Sequence, residues 1–253
     1  MSDLTVIILS KPGARVAQLD LLRRSIDRFW PEANNDLRVL CSPAGPAFAA
    51  DLDEQLRYAG EHVCFLTDDG VFYRHVWSPC WTLQNRDEIL CHSLRLGVNT
   101  VRCYPTGTLH ENPRSSLWDW TEAEFDGDYG YPGSVDAHVF RRHDIAPLAG
   151  MNLQNPTALE VALNTFCVEF LASRRPLMSS PTQSCYVSVP VNRVSKQSGV
   201  RYGETHWQTA NELNQEFRHG LQIRLDSIRP ELVDAAHVEF RFGWEPKPAL
   251  VAA

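Results

Sequence analysis

The chain has 253 residues, 43% of them hydrophobic and 22% charged, with a formal net charge of -7. These proportions exclude a mainly disordered chain and a fibrous repeat, and they suit one large α/β domain. No apolar run approaches the about 18 residues of a transmembrane segment, and no basic stripe of a duplex binder is present, so neither a membrane span nor nucleic acid is expected.

Thr5 to Leu9 is a mostly β-branched run that reads as a strand buried on both faces. Pro12-Gly13 breaks it. Val16, Leu19, Leu22, Ile26 and Phe29 then recur at helical spacing until Pro31. A second unit follows: strand Leu37 to Cys41, turn Ser42 to Pro46, and helix Ala47 to Tyr58 stopped by Gly60. Strand His62 to Thr67 runs into Asp68-Asp69-Gly70. A helix is predicted over Asp87 to Leu96, closed by Gly97, and a strand over Thr100 to Tyr104. This β-α-β-α-β order implies right-handed crossovers and a mostly parallel sheet.

The second half is more mixed. Leu117 to Pro132 reads as an aromatic and acidic loop, and Ser134 to Phe140 as a strand. Asn155-Pro156 is a helix start, Asn at the N-cap and Pro at the first helical position, with the helix running to about Leu171. Tyr186 to Val191 is a strand, and Leu213, Phe217 and Leu221 mark a helix with Gly220 near its end. Ala236 to Phe242 alternates, placing Val238, Phe240 and Phe242 on one face and His237, Glu239 and Arg241 on the other.

The seven cysteines lie far apart with no CxxC pair, which disfavours a disulfide framework and a zinc knuckle. The apolar core Val6 to Leu9 is too short for a signal peptide and lacks a cationic flank, so a cytoplasmic protein is expected. No GxGxxG or Walker motif is present.

The most informative stretch is HVCFLTDDGVFYR, residues 62 to 74. A buried strand ends in two adjacent carboxylates and a glycine, at the sheet edge where open α/β folds bind ligands. A divalent cation bridging a diphosphate would relieve the repulsion between the acids. Gly70 would permit a tight turn and close ligand approach. The same three residues also make an ordinary surface turn.

Seven segments in order, TDDGVFYR (67–74), HSLRLGVNT (92–100), YPGSVDAHVFRR (131–142), NPTALEVALN (155–164), VPVNRV (189–194), ELNQEFRHG (212–220) and AAHVEFRF (235–242), are similar to a small bacterial group of glycosyltransferase-like proteins. The chain as a whole resembles glycosyltransferases of the GT-A fold. The resemblance implies a single three-layer α/β/α domain (1–253) with a mostly parallel mixed sheet. Residues 1–105 would form the nucleotide-binding half and 106–253 the acceptor-binding half. It implies transfer of a hexose from a UDP-sugar to an unknown glycosyl acceptor, with Mn²⁺ or Mg²⁺ as cofactor.

Carried onto this sequence, the resemblance makes Asp69 the direct metal ligand and gives Asp68 a contact to ribose or metal. Thr67 stands where the family motif often has a third aspartate. His237 is the candidate further ligand, or a solvent-facing strand histidine. Leu9, Ser10 and Lys11 would contact the uracil, with Lys11 alternatively a solvated loop charge. Arg95 would grip phosphate or sugar hydroxyls, or instead complement a helix C-terminus. Asn192 and Arg193 would contact the diphosphate. Related inverting enzymes carry Glu-Asp before a helix, where this chain has Asn155-Pro156. Asp136 or Glu160 is then the base, or instead binds sugar hydroxyls, and a retaining route stays open. Trp118, Trp120, Tyr129 and Tyr131 would stack on acceptor sugars or anchor the core, and His138 would line the acceptor pocket or fill space. The alternative is a non-catalytic UDP- or glycan-binding protein on the same scaffold. A sugar-nucleotide pyrophosphorylase is a third reading, but SKPGARV is a poor match to its glycine-rich loop.

Overall fold

The computed structural model describes residues 3–13, 15–104, 106–110, 113–124, 127–191 and 208–248. In chain order the elements are β1 (Leu4–Leu9), α1 (Val16–Phe29), β2 (Leu37–Leu40), α2 (Pro46–Arg57), β3 (His62–Thr67), β4 (Gly70–Phe72), α3 (Trp81–Asn85), β5 (Ile89–Ser93), β6 (Leu117–Asp119), β7 (His138–Arg141), α4 (Arg142–Ile145), α5 (Pro156–Phe166), β8 (Leu177–Ser179), β9 (Tyr186–Ser188), α6 (Ala210–Arg218), β10 (Leu221–Ile223) and β11 (Trp244–Pro246). The main sheet is mixed, with strand order β2-β1-β3-β7-β5-β8-β6. Strands β1, β2, β3, β5 and β8 share one direction, while β7 and β6 run against it.

Successive residues of a strand face opposite sides, and β1 uses both. Val6 and Ile8 pack with Leu22, Ile26 and Trp30 on the α1 side. Ile7 and Leu9 pack with Phe48, Leu52 and Leu56 of α2 and with Leu159 and Leu163 of α5. Each such side chain contributes roughly 1.5–3 kcal/mol on burial, which explains why a run with no polar alternation is stable only as an interior strand. A third cluster joins Ala17 and Leu21 of α1 to β4, β9, α6 and Phe240 and Phe242.

Two helix starts follow local capping chemistry. The Asn155 side chain accepts from the Ala158 backbone N–H at 2.8 Å, with Pro156 at the first helical position. A π-helical turn carries this helix on to Leu171. At α6, Thr209 and Glu212 form a reciprocal capping box.

Four readings of the sequence need correction. The predicted helix 87–96 is instead β5, whose five residues are all buried in the middle of the sheet. Its five residues, Ile-Leu-Cys-His-Ser, are too few to show a period that separates helix from strand. Gly97 does not cap a helix; a Cβ there would lie 2.4 Å from the Ser184 backbone nitrogen. Residues 100–104 form a loop held by isolated bridges from Arg102 to Leu109 and Ala235. Residues 236–242 touch β9 through a single bridge, Ser188 to His237, and form no strand. Their apolar face still packs, through Phe240 and Phe242, into the third cluster. Finally, the loop read over 117–132 contains β6, an edge strand of the main sheet. Among the described residues no helix is long and apolar enough to cross a membrane.

Candidate functional site

Topology gathers the polar residues at one sheet edge. β1 and β3 are parallel, with Leu9 paired to Thr67, so Ser10 and Asp68 leave the sheet together. β7 runs antiparallel to both β3 and β5. The start of β7 therefore lies beside the ends of β3 and β5, and Asp136 and Arg95 arrive at the same place. Ala137, held at φ 58°, makes the bend that delivers Asp136. A left-handed alanine is strained, and two backbone bonds hold it: its N–H donates to Phe65 O and its carbonyl accepts from Leu94 N, each at 2.8 Å.

Asp68 is buried and accepts from Ser10 Oγ at 3.0 Å, the Lys11 backbone N–H at 3.1 Å and Arg15 Nη1 at 2.8 Å. The same Arg15 nitrogen lies 2.8 Å from Asp69 Oδ2. Burial raises the Asp69 pKa; Arg15 opposes that, while the Asp68 and Asp136 charges add to it. Thr67 Oγ1 donates to Asp136 Oδ1. Asp136 Oδ2 lies 3.5 Å from His237 Nε2 and 3.9 Å from Arg95 Nη1. Burial would raise Asp136, yet the His237 hydrogen bond and charge, then Arg95, hold it well below the usual carboxylate range. Burial lowers His237, but its bond to Asp136 and the Asp136 and Asp128 charges together outweigh that and raise it. The other ring nitrogen of His237, Nδ1, is buried with no hydrogen-bond partner among the described residues.

Arg95, at the end of β5 rather than a helix, is 3% exposed and donates to Asp128 Oδ1 at 2.8 Å. Burial opposes ionisation of Asp128, but Arg95 and then His110 bring it down to about 2. Glu160, on the first turns of α5, is half-buried. Burial and then the Asp136 charge push it up to about 7.

Other expected site residues sit elsewhere or act differently. Leu9 is core; only its carbonyl reaches the site, accepting from Asp68 N. The Lys11 side chain is exposed, and its contribution is the backbone N–H. Trp118 and Trp120 are 6% and 4% exposed, with indole N–H groups donating to Tyr129 O and Arg175 O. Buried and satisfied, they anchor the core and present no face to a sugar. His138 is wholly buried against Pro132 O, and burial, then Arg95, drives it down to about 3, so it fills space. Gly70 leaves room for Tyr186 rather than for a ligand; a Cβ there would fall 1.6 Å from the Tyr186 hydroxyl. Asn192 and Arg193 lie outside the described residues.

Sequence reading missed Arg15, Asp128 and Tyr186. The signal for Arg15 was its place: with Lys11, one of two cations shortly after β1, at the edge where β3 delivers two acids. Among the described residues, Asp69 and His237 do not fall into one close ligand set; Arg15 holds the first and Asp136 the second. The group whose ligand atoms do converge, all within 4.8 Å of one another, is Cys103, His110 and Asp128, and this buried cluster could hold a metal ion. The chain matches no protein-family model, and it has no match among curated proteins.

Proposed function

We propose that the protein is a metal-dependent glycosyltransferase of the GT-A type, moving a hexose from a UDP-sugar to a glycosyl acceptor. The observation that carries this reading is the pair Asp68-Asp69 at the shared edge of β1 and β3, ringed by Asp136, His237, Arg95 and Glu160. The seven ordered segments that resemble glycosyltransferase-like proteins support it.

Ser10 and the Lys11 backbone stand beside Asp68, where the nucleoside of UDP is received. Asp69 would supply a carboxylate to Mn²⁺ or Mg²⁺ once it leaves Arg15, and His237, whose buried Nδ1 has no partner among the described residues, would have to close up on it to share a Mn²⁺. Such an ion supplies charge to offset the departing UDP. Arg15 and Arg95 offer guanidinium groups to the phosphates. Of the two candidate bases, Glu160 is the better. Its pKa of about 7 lets it accept the proton of the attacking hydroxyl near neutral pH. Asp136 is too weak a base and too fully engaged; it orients His237.

A second reading, a non-catalytic UDP- or glycan-binding protein, draws on two observations. Arg15 already offsets one of the two charges of the acid pair and contacts both acids. Asn155, where related inverting enzymes carry an acid, is committed to capping α5.

Calorimetric titration of UDP with and without Mn²⁺, on wild type and Asp69→Ala, tests the site. Metal should tighten UDP binding in wild type alone; equal affinity in all four titrations refutes the metal-diphosphate account. UDP release over a panel of UDP-sugars and acceptors then separates the enzyme from the binder.

A further inference from the structure

Beyond the acid pair, a second constellation of ligating side chains has no role in the transfer chemistry. Cys103 and His110 come from one loop, closed on itself by the Arg102–Leu109 bridge and by His110 N–H donating to Val101 O at 2.9 Å. Asp128 comes from the chain segment after β6. His110 Nε2 lies 3.1 Å from Asp128 Oδ2, and the Cys103 sulfur completes a triangle no more than 4.8 Å on a side. In a tetrahedral zinc site with bonds of 2.0–2.3 Å, such edges measure about 3.3–3.6 Å. The nitrogen–oxygen edge is therefore already near its bound length, and the two edges to sulfur, no longer than 4.8 Å, are the ones that would shorten on binding.

From this geometry we infer that Cys103, His110 and Asp128 form a zinc site with a fourth position left for water or another ligand. One thiolate, one imidazole and one carboxylate make a mixed soft-to-hard donor set that suits Zn²⁺ and not the oxygen-seeking Mg²⁺ or Ca²⁺. On binding, the Cys103 S–H bond breaks, its proton passes to solvent, and sulfur keeps the electron pair for the metal. His110 exchanges its contact with Asp128 for a shared bond to the ion.

The surroundings orient these ligands as outer partners do in metal sites. Arg95 grips Asp128 Oδ1 at 2.8 Å and turns Oδ2 toward His110. Tyr129 packs edge-on against the His110 ring at 5.5 Å, and its hydroxyl donates to Gly97 O and Thr100 O. At Gly127 a Cβ would press to 3.1 Å from His110 Nδ1, so the glycine lets that ring seat. The site's consequence is positional: an ion on Asp128 fixes Arg95, and Arg95 in turn faces Asp136 at 3.9 Å.

The test uses the full chain, stripped with chelator and reloaded with Zn²⁺ or Co²⁺. Wild type should retain one equivalent of Zn²⁺ through gel filtration, and its Co²⁺ form should show a thiolate-to-metal absorption band with tetrahedral d–d intensity. Asp69→Ala and His237→Ala should keep both signals, which separates this site from the diphosphate site. Cys103→Ser should lose the band and more than about 100-fold in affinity, since a direct ligand outweighs an outer-shell partner. Circular dichroism checks that this variant folds. If it does not, the wild-type Co²⁺ spectrum decides alone: a spectrum without a thiolate band, or no retained zinc, overturns the proposal.

Discussion

Arg15→Gln tests how the acid pair is kept ionised and close. Arg15 Nη1 sits 2.8 Å from both Asp68 and Asp69, and the three side chains are 11%, 3% and 18% exposed. Removing one member of a buried ion pair costs roughly 3–5 kcal/mol, because a charge is left uncompensated. Asp68 keeps its Ser10 and Lys11 donors, so the low end, about 3 kcal/mol, applies. With a urea slope of about 3 kcal/mol/M for a chain of this size, the unfolding midpoint in EDTA should fall by about 1 M. A divalent ion can take over the guanidinium's electrostatic role. Mn²⁺ at a hundred times its dissociation constant restores about 2.7 kcal/mol, so the variant should recover most of its loss on adding Mn²⁺. The assay is urea denaturation followed by tryptophan fluorescence, with and without metal. A midpoint within about 0.2 M of wild type in EDTA would refute the argument that Arg15 compensates the two carboxylates. A variant that falls by 1 M and ignores Mn²⁺ would count against a metal at Asp69.

Two further predictions concern Glu160 and Gly70. With Glu160 at about 7, UDP release should rise with pH through about 7, and Glu160→Gln should lose that limb and about 10²–10⁴ in kcat. The idea fails if the limb sits near the ordinary value of 4.5 or survives the substitution. The same raised pKa means the folded state holds a proton that the unfolded chain has released. Glu160 therefore subtracts stability as pH rises from 4.5 to about 7, and Glu160→Gln should flatten the urea midpoint across that window. Gly70→Ala forces a Cβ to within 1.6 Å of the Tyr186 hydroxyl, on a ring wholly buried and packed 5.1 Å from Phe72. About 3 kcal/mol or more should be lost in urea denaturation, with partial recovery in Gly70→Ala/Tyr186→Leu. A loss under about 1 kcal/mol would show that the ring has room to move.

Strong local signals were readable along the chain. The β-branched run at β1, the apolar strand β3, the amphipathic spacing of α1, and the Asn155-Pro156 start of α5 each depend on residues close in sequence, so neighbouring side chains and backbone chemistry determine them. The acid pair at the end of β3 was legible for the same reason. The β5 segment was not: five residues are too few to show a period, and only its place between β7 and β8 makes it a strand. The alternation of 236–242 was real, but a strand needs a run of consecutive bridges to a neighbour, and among the described residues one bridge to β9 is what the fold supplies.

The roles of individual side chains were settled still further from the sequence. Trp118 and Trp120 have the composition of a sugar platform, yet burial and two satisfied indole N–H groups make them core. Arg15 meets acids more than fifty positions away, Arg95 meets Asp128 and Asp136 across two loops, and Cys103 meets Asp128 only because separate loops converge. Local sequence determines which elements form and what they carry. Charge compensation and ligand convergence act over a few ångströms in space, irrespective of chain separation, and so only the packed sheet edge decides them.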